Sequence, residues 1–162
     1  MLRAHGVERI VDVRTIPKSR HNPQFGEDQL APALEAAGIS YGRLESLGGL
    51  RRARPDSVND GWRNASFRGY ADYMQTEDFR RGIRDLLDLA EHQTVAIMCA
   101  EAVPWRCHRS LVGDALLVRG RTVIDIMTEA DARPHALTKF AQVEGESVTY
   151  PASDELEIPA SE

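Results

Sequence analysis

At 162 residues the chain is long enough for one domain with a real core and short for two. Its apolar share of 42% and charged share of 28% are ordinary for a globular protein, and no apolar run is long enough to span a bilayer. Much of the net charge of −5 lies in residues 153–162, which carry four acids and no base, so the body is near neutral with local basic loops. That pattern suits a phosphate-bearing ligand and argues against a large nonspecific nucleic-acid surface.

The opening MLRAHGVERIVDVR lacks the basic-then-apolar pattern of a secretory leader, so a cytoplasmic protein with reduced cysteines is expected. Leu2–His5 reads as the last turn of a helix stopped by Gly6. Arg9–Arg14 is an apolar strand, ended by Pro17. Glu27–Ala37 has Leu30, Leu34 and Ala37 at helical spacing, with Gly38 as its stop. Ile39–Leu44 is a second strand. A long loop follows from Glu45 to Ser66, and loops of that length are usually functional or disordered.

Tyr70–Met74 and Asp78–Glu91 read as helices, the second with Phe79, Ile83, Leu86, Leu87 and Ala90 on one face. Thr94–Cys99 is the clearest strand. Ser110–Arg119 is a helix stopped by Gly120, and Arg121–Ile126 a further strand. Beyond it the chain reads as irregular, with a hairpin or strand near Val148–Tyr150 and an acidic, disordered tail over 152–162.

Strand–helix alternation predicts an α/β fold: one domain over residues 1–151, a three-layer sandwich with a mainly parallel sheet. Ligands in such sheets sit beyond the carboxyl ends of the strands. Asp12, Arg14, Cys99 and Glu101 fall at or just past such ends, which gathers distant positions into one candidate site.

The loop MCAEAVPWRCHRS, residues 98–110, holds both cysteines of the chain together with Glu101, Trp105, Arg106, His108 and Arg109. Carboxylate, imidazole and guanidinium ahead of a helix N-terminus are parts for acid–base work on a phosphorylated substrate. A cysteine-phosphatase loop needs five residues between Cys and Arg, whereas six separate Cys99 from Arg106 and Trp105 stands in the arginine's place. A rhodanese-like persulfide loop also begins with Cys after a strand, but an acid at Glu101 opposes anion capture there. Zinc could take Cys99, Cys107 and His108 with a fourth ligand such as His21, although the spacing lacks the usual CxxC knuckle.

Asp12 in an apolar strand needs a task or a partner, and burial against Arg14 or a backbone amide would supply the partner. The following loop offers Arg20, Asn22 and Gln24 as donors beside Phe25, a mix that fits base or sugar-phosphate recognition, although Phe25 is expected to plug the core. Trp62, Phe67, Tyr70 and Tyr73 form a local aromatic concentration that is expected to anchor the long loop.

Five stretches, VDVRTIPKSRHNPQF, YGRLESLGGLRR, GWRNASFRGYADYM, MCAEAVPWRCHRS and RPHALTKFA, in this order, resemble the family called domain of unknown function 488. The resemblance runs from about residue 1 to Pro151. It implies an α/β fold and a shared pocket, and leaves the reaction open. Family members begin with a strand ending in an Ile-Gly-His-Ser-like motif and a helix, and this chain starts inside that helix. One N-terminal strand is therefore expected to be missing, through a late start or truncation, leaving neighbouring edges exposed.

The expected function is that of an enzyme acting on a nucleotide or nucleic-acid-derived, phosphate-bearing substrate. Glu101 would be the general acid/base or nucleophile, His108 a second proton carrier, Asp12 an orienter and Cys99 a further catalytic group. Arg14, Arg20, Arg106 and Arg109 would hold phosphate, with Asn22 and Trp105 as additional substrate contacts. No cofactor is predicted in this reading. The alternatives are a noncatalytic nucleotide or nucleic-acid binding module, and a zinc- or thiol-dependent enzyme using Cys99, Cys107 and His108. No membrane partner is expected, and the oligomeric state stays open.

Overall fold

The computed structural model describes residues 1–153, and the acidic tail expected to be disordered lies almost wholly outside the described residues. The chain is a mixed α/β protein. Strand β1 (Arg9–Asp12) runs between β2 (Ser40–Arg43) and β3 (Val95–Met98), and both pairings are parallel. Val13 continues the ladder by donating to the carbonyl of Met98 at 3.0 Å. The carboxyl ends of β1 and β3 therefore finish side by side.

β1 is central because its residues are apolar on both sides, as parallel strands covered on both faces require. Ile10 joins Leu34 of α1 (Glu27–Ala36), Val7 and Ile39 in one apolar cluster. Val11 and Val13 join the larger cluster, with Phe79, Ile83 and Leu86 of α3 (Glu77–His92) and Leu111, Val112 and Ala115 of α4 (Arg109–Leu117). Between β2 and α3 lies α2 (Ala65–Tyr73), which begins five residues before the predicted Tyr70 because Asn64 caps it, accepting from the amides of Ser66 and Phe67. Thr76 caps α3 in the same way.

The predicted strand Arg121–Ile126 is not part of the parallel sheet. Only Ile124–Ile126 (β4) is extended, and it pairs antiparallel with Ala132–Pro134 (β5) as a separate two-stranded ribbon. The period-2 apolar pattern suits a hairpin arm as well as a sheet strand, and the partner after it decides. A second ribbon joins β6 (Gln142–Glu144) to β7 (Ser147–Thr149), near the expected Val148–Tyr150 hairpin.

The long loop is held down by side chains. Buried Asp72 on α2 accepts from Ser57 Oγ at 2.5 Å, Asn59 Nδ2 at 2.8 Å and the Arg54 amide at 2.7 Å. Asn59 in turn accepts from the Tyr150 amide. The hydroxyls of Tyr70 and Tyr73 donate to the carbonyls of Leu47 and Ser46, and Trp62 stacks on Phe67 with centroids 4.8 Å apart. The aromatic concentration is an anchor. Phe25, expected in the core, is instead 51% exposed. No helix among the described residues is long and apolar enough to cross a membrane.

Candidate functional site

Three loops converge at His108, at the carboxyl end of the sheet. The loop after β3 turns back on itself through a 3-10 turn at Pro104–Arg106, so that Cys107 returns to the strand end occupied by Cys99. The Nδ1 atom of His108 lies 3.9 Å from Cys99 Sγ and 3.7 Å from Cys107 Sγ. Its Nε2 lies 3.2 Å from the carbonyl oxygen of Val13, just past β1. A carbonyl can only accept, so Nε2 carries the proton and the Nδ1 lone pair faces the two sulfurs. Gly49, from the long loop, closes a third side: a Cβ there would stand 3.1 Å from Nδ1. Tyr70 packs its ring 4.8 Å from the imidazole.

The sulfurs share hydrogen bonds as well as space. Cys107 is buried, and the backbone amide and Nε of Arg109 point at its Sγ from 3.5 and 3.4 Å. Chiefly through the neighbouring Cys99 thiol, Cys107 is held below the ordinary thiol range, against the opposing effect of burial. The same pairing, with burial, pushes Cys99 up. Both cysteines are free, and the ligand atoms of Cys99, Cys107 and His108 all lie within 4.8 Å of one another.

The remaining predicted site residues divide sharply. Asp12 is fully buried and committed to Arg14, whose Nη2 reaches it at 2.6 Å, and to Tyr41, whose hydroxyl donates at 2.6 Å. Burial raises its pKa, but the hydrogen bonds from Arg14 and Tyr41 outweigh that and hold the carboxyl below its usual range. Arg14 spends its remaining Nη1 on the carbonyl of Phe25 at 2.8 Å. The structure thus gives Asp12 and Arg14 to each other, tying the strand end to the loop beyond it. The Asp12 carboxylate is taken up by these bonds, and the Arg14 side chain is buried with it.

Glu101 was expected to face Arg106, His108 and Arg109. Its side chain is instead exposed, and Arg109 Nη2 donates to its backbone carbonyl. Arg109 therefore bridges the Glu101 backbone to the Cys107 sulfur. Arg20, Asn22 and Arg106 are exposed, and among the described residues Arg20 and Arg106 have no ion-pair partner. Trp105 is 65% exposed at the tip of the loop. His21 is exposed on the loop after β1, outside the cluster of possible metal ligands among the described residues.

Sequence reasoning missed Gly49 and the Val13 carbonyl. The signal for Gly49 was present in the Gly48-Gly49 pair, since adjacent glycines inside a loop mark a close approach. The Val13 carbonyl left no signal.

Residues 1–116 match the family described as domain of unknown function DUF488. The chain belongs to the DUF488 family. No curated protein and no solved structure matches it. The matched span includes all three loops that meet at His108, so the thiol–imidazole cluster of this DUF488 chain lies inside the family region, while β4 to β7 lie beyond it.

Proposed function

We propose that the chain is an enzyme acting on a phosphate-bearing, nucleotide-derived substrate at a zinc centre formed by Cys99, Cys107 and His108. One observation carries this reading. In a tetrahedral zinc site a thiolate sulfur and an imidazole nitrogen are about 3.6 Å apart. The two sulfur–nitrogen separations, 3.7 and 3.9 Å, are close to that value with the Nδ1 lone pair already aimed between the sulfurs. His108 also has the second hydrogen bond, to Val13, that orients most zinc-bound imidazoles.

Three protein ligands is the number a catalytic zinc takes, with the fourth position left for substrate or water. A zinc ion bound there supplies a Lewis acid. The chain's own residues do the rest. Exposed Glu101, two residues from a ligand and pinned through its carbonyl to Arg109, carries protons. Arg20 and Arg106 hold phosphate as exposed cations, and Trp105 offers an aromatic face to a base. The reading takes the two apolar clusters as the two faces of a three-layer sandwich. It also takes the protein as cytoplasmic, consistent with two free thiols.

The test has two parts. Chain purified without chelator or added metal should carry one zinc per molecule, and Cys107→Ser and His108→Ala should lose it. The zinc-loaded chain is then incubated with a panel of nucleotides and separated chromatographically. Turnover should appear in the wild type and vanish in Glu101→Gln with zinc retained. A chain that binds no zinc even when it is added ends the reading. Binding of a nucleotide without turnover would favour the noncatalytic module instead.

A further inference from the structure

We infer that Cys99 and Cys107 are also an oxidation site, at which a hydroperoxide closes the pair into a disulfide that dismantles the Cys99–Cys107–His108 centre. The pair is the complete cysteine content of the chain, so each sulfur has one possible intramolecular partner. Both are free thiols, and their sulfurs lie within 4.8 Å of each other, short of the about 2.05 Å of a disulfide by a distance that side-chain rotation and a small loop shift can cover. The segment between them is a seven-residue connection whose only regular element is the 3-10 turn Pro104–Arg106. No helix or strand has to break for the sulfurs to meet.

The two cysteines differ in access, which assigns their roles. Cys99 is partly exposed and Cys107 is buried behind it, 4% accessible. The hydroperoxide therefore meets Cys99 first. Its sulfur attacks the outer oxygen as the thiol proton passes to the leaving oxygen, the O–O bond breaks, and Cys99 becomes a sulfenic acid while an alcohol (water, for hydrogen peroxide) leaves. The Cys107 thiolate then attacks the Cys99 sulfur, the S–O bond breaks, and water leaves with one proton from the medium. In sum two thiols and one hydroperoxide give one disulfide, one alcohol and one water, a two-electron exchange that balances. An accessible thiol with a second thiol poised beside it is an arrangement that reversible thiol sensors use.

The consequence for metal rests on the proposed zinc centre. A disulfide offers no thiolate, so oxidation removes two of the three ligands at once and the metal leaves. Reduction by a small thiol restores the site.

The experiment uses the full chain stripped of metal by a chelator and titrated with hydrogen peroxide. The expected result is loss of both titratable thiols per equivalent of peroxide and an intact mass lower by two hydrogens. A Cys99–Cys107 cross-linked peptide should be recovered, and dithiothreitol should reverse the change. Cys107→Ser should stop at a sulfenic acid on Cys99, trapped by dimedone, and Cys99→Ser should react at least tenfold more slowly than wild type. Oxygen added without cross-linking, cross-links between chains, or equal reactivity of Cys99→Ser each overturn the inference. A parallel titration of zinc-loaded chain reads metal release with a chromophoric chelator, in step with thiol loss. Failure to bind zinc with an intact disulfide reaction sinks the metal reading alone. Stoichiometric zinc with no disulfide sinks this inference alone.

Discussion

The imidazole of His108 donates through Nε2 to the carbonyl oxygen of Val13, 3.2 Å away, and by that bond turns Nδ1 toward Cys99 and Cys107. Val13 itself donates to the Met98 carbonyl, so the ring is referenced to the β1–β3 pair and not to the loop that carries it. The loop is irregular, but its imidazole is positioned by the most regular part of the molecule. A group held this way loses little freedom when it takes a ligand.

His108→Ala should therefore lower zinc affinity by about a hundredfold or more, since it removes one ligand and its orienting bond together. Gly49→Ala tests the same geometry from outside. The added Cβ would stand 3.1 Å from Nδ1 and 3.3 Å from Cε1, and φ at Gly49 is not in the left-handed region, so the ring has to give by a few tenths of an ångström. About a tenfold loss of zinc affinity with an almost unchanged Tm is expected. Competition against a chromophoric chelator reads both. Unaltered affinity in His108→Ala removes the imidazole from the ligand set.

What the sequence made legible divides along the same line. The apolar stretches of β1 and β3, and the amphipathic face of α3, follow from periodicity and are found within a residue or two of their expected bounds. The three possible metal ligands of the site, Cys99, Cys107 and His108, were all visible in the 98–110 loop. Their geometry was not, because Cys-x7-Cys-His fits no short metal knuckle. Only the backward turn through Pro104–Arg106, a tertiary fact, brings Cys107 to Cys99. Asp12 announced a buried partner, and the partner proved to be Arg14 two residues away on the same strand end, so two candidate site residues explain each other. The Arg121–Ile126 segment misled because a strand's period says nothing of which sheet it joins.

Asp72→Ala should free the long loop. The carboxylate is buried and gathers Ser57, Asn59 and the Arg54 amide, and its removal leaves three donors without their acceptor. A loss of about 3 kcal/mol is expected in urea unfolding, together with faster amide exchange at Arg54 and neighbouring residues. A loss under about 0.5 kcal/mol would mean the loop is held by its aromatic anchors alone.

Gly69→Ala sets helix propensity against contact. Alanine in mid-helix is usually favoured over glycine by about 1 kcal/mol. Here the Cβ would stand 2.2 Å from the Arg51 carbonyl oxygen and 2.7 Å from the Ala53 nitrogen, both backbone atoms that cannot rotate away. Contact should win, with about 3 kcal/mol of destabilisation and a displaced Arg51–Ala53 segment. A higher Tm for the variant would show that α2 and this segment are not packed as described.

A clasp remote from the site joins α4 to the β4–β5 ribbon. His135, on the segment following β5, places Nε2 3.0 Å from Asp114 on α4 and Nδ1 2.9 Å from Asp125 on β4, and its side chain is 6% exposed. The hydrogen bonds to Asp114 and Asp125 push its pKa from 6.5 up to about 9. Tyr150 also donates to Asp114, at 2.9 Å, so the same carboxylate ties the end of the described chain to α4. A histidine whose pKa is higher folded than unfolded binds its proton more tightly when folded, so protonation stabilises the fold. Its contribution is complete below about pH 6.5, falls as pH rises from there, and is gone above about 9. The size is up to about 3 kcal/mol. Urea unfolding of wild type across this window should show the decline. His135→Gln, which keeps one hydrogen bond and no charge, should flatten it. Equal slopes in the two proteins would place the charge elsewhere and leave His135 a neutral packing residue.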